Sequence, residues 1–136
     1  MKIEPLATTM ASAAVELWQI AGLTRPWNDP IDDLRRARAG PGSAVLAGID
    51  DGVLISTAMV GHDGHRGWVY YLAVSPDARG RGHGQTMMRA CEAWLQARGV
   101  PKLNIMIRGD NADACGFYST LGYDTDDVVV MSRRLQ

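Results

Sequence analysis

Cysteine is scarce: Cys91 and Cys115 are the only two in a chain of 136 residues, and neither has a His or Cys at metal-ligand spacing. The fold is therefore expected to stand without disulfides, no metal is expected, and both thiols read as small, core-facing apolar residues. Long hydrophobic runs are missing too. None approaches the ~20 residues of a membrane span, and the opening Met1-Lys2-Ile3-Glu4 lacks the apolar stretch of a signal peptide. The expected compartment is the cytoplasm, with no membrane partner. Net positive charge is absent: 14 Lys plus Arg against 15 Asp plus Glu give −1, too little field to hold duplex nucleic acid. Repeats, low-complexity tracts and linkers are also lacking. A 46% apolar and 21% charged chain of this length reads as one globular domain, residues 1–136.

Glycine, by contrast, is concentrated at one place. Arg79-Gly80-Arg81-Gly82-His83-Gly84 stands between a strand-like run ending at Val74 and a helix-like run beginning near Gln85. Glycines at alternate positions let the backbone bend tightly and bring its N–H groups close to a ligand. The following helix N-terminus adds donors and a positive dipole end. With Arg79, Arg81 and His83 in the same six residues, the segment reads as a cradle for a small polyanion carrying phosphate. It is not a dinucleotide fingerprint: Gly-x-Gly-x-x-Gly would need glycine where Gln85 or Met87 stands, and no acidic residue closes a strand about twenty residues on. A Walker-type loop is excluded as well, since neither Gly-Lys-Ser nor Gly-Lys-Thr follows.

The remaining pattern is that of an α/β (α+β) chain. Residues 2–6 read as a first strand, and Thr8 or Thr9 can cap a helix whose Met10, Ala14, Leu17, Trp18 and Ala21 fall at helical spacing. Asp29 and Pro30 suit the N-cap and first position of a second helix running to about Ala39. Residues 44–49 and 53–61 flank an Asp50-Asp51-Gly52 turn and predict an antiparallel hairpin. The turn-rich His62-Asp63-Gly64-His65-Arg66-Gly67 leads into a β-branched and aromatic run, 68–74. A helix from 85 to about 98 places Met87, Met88, Cys91, Trp94 and Leu95 on one face, and Gly99 ends it. Residues 103–107 form a strand expected to lie parallel to 68–74 through a right-handed crossover. A last helix, 112–121, stops at Gly122, and residues 125–132 close the sheet. The edge Val128-Val129-Val130-Met131 could pair with a second copy, giving a homodimer.

Arg79-x-x-Gly82-x-Gly84, following a strand that ends Leu72-Ala73-Val74-x-Pro76, resembles the acyl-CoA-binding motif of the GCN5-related N-acetyltransferases. Asn111, Ala114, Phe117-Tyr118 and Leu121-Gly122-Tyr123 resemble that family's second signature, in which an Asn and a Tyr seven positions apart face the cofactor. Leu23-Thr24-Arg25-Pro26-Trp27-Asn28-Asp29-Pro30, Asp63-Gly64-His65-Arg66-Gly67 and Tyr70-Tyr71-Leu72 are similar to segments of the YpeA-type bacterial acetyltransferases. The resemblance covers the whole chain. It implies a twisted mixed sheet of six to seven strands, about four flanking helices and parallel central strands that splay apart.

It also implies an enzyme that moves acetyl from acetyl-CoA to a primary amine by direct attack in a ternary complex. Backbone donors from Arg81 to Gly84 would hold the pyrophosphate, with Arg79, Gly80 and His83 beside them, and Arg79, Arg81 or His83 would steady the 3′-phosphate. Pantetheine would lie along Leu72, Ala73 and Val74 as an added strand, and a backbone N–H there would serve the oxyanion. Asn111 would face the cofactor, or cap its helix, and Tyr118 would protonate the leaving thiolate, or simply pack among Phe117, Leu121 and Tyr123. Many relatives carry a Glu base on the central strand. Residues 68–74 contain no acid, so Asp63 or His65 in the preceding turn, or Tyr70 or Tyr71 through water, are the candidates, and an amine that arrives neutral needs none. Trp27, Asp29 or Asp32, and Tyr70 are candidate acceptor contacts. The acceptor would be a small-molecule, peptide or protein amine. A non-catalytic acyl-CoA-binding sensor or partner subunit is the competing reading, favoured by the missing strand carboxylate.

Overall fold

The computed structural model describes residues 1–136, which divide into two compact units, Met1–Ile105 and Met106–Gln136. In the first unit, β1 (Lys2–Pro5), β2 (Ser43–Asp50), β3 (Val53–His62), β4 (Gly67–Val74) and β5 (Leu103–Asn104) form one sheet in sequence order. The first four strands are antiparallel, and β5 joins β4 in parallel. Five strands are formed, not the six to seven expected. Of the strands expected along the chain, residues 125–132 form none, and the one expected over 103–107 is shortened to β5. β-branched side chains favour a strand only where main-chain partners are available, and a run of them does not supply those partners. The pairing edge expected for a second copy is therefore not formed.

Local chemistry explains most of the boundaries. The β2–β3 hairpin turns through Asp51 (φ 51°) and Gly52 (φ 76°), the two positive φ values of a tight Asp-Gly turn. Helix α1 (Ala11–Ile20) starts after a 3-10 turn at Thr8–Met10 and has no side-chain cap. The expected cap is diverted, since Thr8 Oγ1 accepts from Arg38 Nη2 (2.8 Å). Helix α2 (Pro30–Ala39) begins as its sequence dictates: Asp29 Oδ1 accepts from Ile31 N (3.0 Å) and Asp32 N (3.3 Å). Helix α3 (His83–Gln96) starts two residues earlier than the pattern suggested, because Gly82 O already accepts from Thr86 N (3.1 Å).

Alternation along the strands sorts the core into two layers. Val45 and Ala47 of β2 and Ala73 of β4 pack with Ala14, Leu17, Trp18, Leu34 and Ala37 of α1 and α2. Met87, Met88, Cys91 and Leu95 are the buried face of α3. Leu95 comes so close that a Cβ on Gly67 would meet it at 2.6 Å, so a larger residue at the start of β4 would have to displace that buried side chain. Burial pushes the Cys91 thiol up to about 12, so it is a core residue and not a nucleophile. Trp94 departs from its expected place. It is half-buried with the Arg98 guanidinium 3.6 Å over its ring, a cation–π contact that suits a surface position.

In the second unit, α4 (Ala112–Thr120) is capped by Asn111, whose side chain accepts from Ala114 N (3.0 Å). Gly122 ends it in a left-handed conformation, φ 92°. Cys115 is exposed, against the expectation that both cysteines face a core.

Candidate active site

The parallel ladder between β4 and β5 consists of Gly67↔Leu103 and Trp68↔Asn104 only. From Val69 onward, β4 keeps β3 as its sole ladder neighbour. Ser75 N donates to Ile55 O (2.7 Å), so by antiparallel alternation Ala73 faces β3, and Leu72 and Val74 turn their main-chain groups to the open edge. One of these groups is taken: Arg79 Nε donates to Val74 O (3.2 Å), tying the glycine loop back to the end of the strand.

Within that loop Gly80 (φ 77°) and Gly82 (φ 78°) are both left-handed, and a Cβ on either would meet nothing within 4 Å. Glycine is needed here for backbone conformation, and the space around it is open for a ligand. Gly82 is the N-cap of α3 and provides no side-chain cap, so the N–H groups of His83, Gly84 and Gln85 precede the first intrahelical bond. The uncapped helix start thus presents backbone donors beside the exposed Arg81.

Midway along β4 the register slips. Thr57 opposes Ala73 but Met59 opposes Tyr70, leaving Tyr71 and Leu72 across from one residue of β3. Tyr71 has φ 53°, unusual for any residue but glycine. Its ring stacks on Trp18 at 4.0 Å and 14°, and its hydroxyl donates to Asp33 Oδ2 (2.8 Å). Thr57 Oγ1 accepts from Trp18 Nε1 (2.8 Å) and donates to Tyr71 O (3.0 Å). Asp33 is held in turn by Arg36. Burial first, and the bond to Asp33 second, raise the Tyr71 phenol well above its ordinary range, so it stays protonated and donates.

None of this bulge was legible beforehand. Trp18 and Thr57 read as helix and strand residues, nothing singles out Asp33, and a left-handed tyrosine leaves no sequence signal.

The turn candidates lie elsewhere. His62 pairs with Gly67 at the start of β4, roughly 15 Å of strand from Leu72. Asp63 Oδ1 accepts from His65 N (2.9 Å) and Arg66 N (2.8 Å), and Oδ2 accepts from Trp68 Nε1 (3.4 Å). The two backbone bonds lower its carboxyl to about 2, which makes it a turn lock and a feeble base. His65 is exposed and its ring Nδ1 is 3.5 Å from Arg66 Nη1. Tyr70 is 42% exposed, and its phenol is raised by burial and then by the Asp63 charge. Trp27 is exposed and Asp29 is spent on its cap.

In the second unit, Asn111 and Tyr118 are seven positions apart, close to two helical turns, and so share one side of α4. The Tyr118 ring meets Phe117 (5.0 Å) and Tyr123 (5.9 Å) edge-on. No group of His, Cys, Asp and Glu is arranged to hold a metal ion, and no helix is long and apolar enough to cross a membrane.

The sheet is thus open along one strand, and that edge ends on a glycine loop and a bare helix start. Residues 12–123 match the family model for the acetyltransferase (GNAT) family. An acetyltransferase of Yersinia enterocolitica is 40% identical over 135 residues, covering 99% of this chain and 96% of its own. One from Pectobacterium atrosepticum is 41% identical over 123 residues, 90% and 87% respectively. Among solved structures, an aminoglycoside N-acetyltransferase in complex with CoA superposes with a TM-score of 0.84 at 17% identity, covering 99% of this chain and 95% of that one. An aminoglycoside acetyltransferase from an uncultured soil metagenomic sample, in complex with sisomicin, reaches 0.81 at 15% over 99% and 96%. The chain belongs to the acetyltransferase (GNAT) family, whose members are acetyl-CoA-dependent N-acetyltransferases.

Proposed function

We propose that the chain transfers acetyl from acetyl-CoA to a primary amine by direct attack within a ternary complex. The open β4 edge that ends on an uncapped, glycine-bent helix start carries this reading. The family match crosses the boundary between the two units, which supports reading residues 1–136 as one functional domain, in the cytoplasm.

The N–H groups of His83, Gly84 and Gln85 and the Arg81 side chain take the phosphates. Arg79 closes the loop onto Val74 O and so acts as a brace. Leu72 and the Val74 N–H bind pantetheine along the strand edge, and the Leu72 N–H serves the developing oxyanion. Asn111 lines the cofactor side of α4 and Tyr118 protonates the departing thiolate, both on the strength of the family's second signature. The acceptor enters beside Trp27 and Tyr70. A small-molecule amine is favoured over a peptide, since the sisomicin complex and the aminoglycoside enzymes share this fold.

With Asp63 engaged in its turn and no acid on β4, the chain selects amines that are neutral on arrival. Amines of low pKa, such as α-amines near ~7.8, are then preferred over lysine side chains near ~10.4. The test is a panel of aminoglycosides, polyamines and peptides with acetyl-CoA, scored by mass spectrometry. A product whose kcat/KM rises with pH through the acceptor's own pKa is expected, and Tyr118→Phe should lower kcat about 10²-fold with CoA affinity unchanged. Tight CoA binding with no acetylated product from any amine would leave only a binding module.

A further inference from the structure

The left-handed Tyr71 is the most strained residue on β4 and lies immediately before the N–H assigned to the oxyanion. Such a conformation persists only where its surroundings over-determine it. Here every part of the residue is held by a different element. Trp18 of α1 stacks on the ring, Asp33 of α2 takes the hydroxyl, and Thr57 of β3 binds the carbonyl. The three holders are themselves tied, because the Thr57 hydroxyl also takes the Trp18 indole N–H and Arg36 fixes Asp33. Thr57 and Trp18 have no solvent exposure, and no buried polar side-chain atom is left without a partner.

The Tyr71 carbonyl and the Leu72 N–H belong to one planar peptide unit. A hydroxyl that fixes the carbonyl therefore fixes the direction of the N–H on the opposite side of that plane. Thr57 pulls the carbonyl toward β3, and the N–H is turned to the open edge. We propose that Trp18, Thr57 and Asp33 are positioning residues for acetyl transfer: they lock the Tyr71–Leu72 peptide so that its N–H is aimed at the acyl oxygen. The inference rests on the reading above that the Leu72 N–H is the oxyanion donor. None of the three touches the acyl group; they act through Tyr71.

The test needs no acceptor. Acetyl-CoA labelled with carbon-13 at the thioester carbonyl is bound to the full chain, and the carbonyl stretch is read by infrared difference against free acetyl-CoA. In the parent, a hydrogen bond to the acyl oxygen shifts the stretch to lower wavenumber. Thr57→Val should lose half or more of that shift while the calorimetric Kd for CoA stays within threefold, and Thr57→Ser, which keeps the hydroxyl, should retain it. With an acceptor in hand, Thr57→Val lowers kcat at least tenfold with the KM for acetyl-CoA unchanged. Should Thr57→Val fail to fold, Tyr71→Phe, which cuts the bond to Asp33 and keeps the ring stack, is read in the same way. A full parent-like shift in a folded variant overturns the positioning role and leaves the oxyanion reading intact. No shift in the parent itself overturns both.

Discussion

At Gly82 the chain accepts φ 78° at no steric cost, and nothing crowds the position where a Cβ would stand. Gly82→Ala is therefore expected to cost about 1–2 kcal/mol in the folded chain through backbone strain alone. It should also raise the Kd for CoA by an order of magnitude or more by tilting the first-turn N–H groups, while Gly82→Asn, which tolerates the left-handed region better, retains more of both. Urea unfolding and calorimetry separate the two effects. Asp63 gives a second expectation. Its carboxyl is lowered from 3.8 to about 2 by the Arg66 N–H first and the His65 N–H second, so its charged form is favoured in the folded state. The stability it lends is fully present above pH about 4 and is lost as pH falls toward 2. Asp63→Asn should flatten acid unfolding in that window, followed by circular dichroism, and should leave the pH–rate profile above pH 5 unchanged. A changed profile there would return Asp63 to the reaction.

Among the elements, β4 and α2 meet through Tyr71 and Asp33. Thr57→Val leaves the buried Trp18 indole N–H without a partner, at about 1–3 kcal/mol, and removes the bond to the part-buried Tyr71 carbonyl, at about 0.5–1.5 kcal/mol. A loss of about 1.5–4.5 kcal/mol in urea unfolding is expected, with Thr57→Ser much closer to the parent. Asp29→Ala should cost about 1 kcal/mol through the lost cap of α2. If the residue also attracts a cationic acceptor, the KM for that amine rises in the same variant, an effect a cap alone does not produce. Elements built on local chemistry were readable in advance: Asp29-Pro30 at the start of α2, Asp51-Gly52 between β2 and β3, and the glycine loop before α3. The β4 bulge was not, because the residues that impose it are 14, 38 and 39 positions apart in the contacts Thr57–Tyr71, Asp33–Tyr71 and Trp18–Thr57. Trp94 fits the apolar stripe of α3, yet Arg98 one turn on covers it at the surface.

For the whole molecule, a net charge of −1 provides no broad positive field. Retention of duplex DNA at 0.1 M salt is not expected, and a gel-shift assay checks it. The segment 128–131 is apolar but exposed, with Val129 at 88% and Met131 at 91%. Val129→Lys should therefore alter unfolding stability by no more than about 0.5 kcal/mol, as for other substitutions of surface residues that carry no special contact. A larger loss would mean that the segment is covered in solution.

The sequence by itself determined the family, the glycine-bent start of α3 and the apolar face of that helix, because those depend on short-range chemistry: turn residues, caps and the spacing of apolar side chains. Only the tertiary structure decided where the sheet opens, that the 62–67 turn sits at the far end of β4 from Leu72, and how one strained tyrosine is held. Those depend on groups brought together from separate helices and strands, and no local pattern in the chain encodes the meeting.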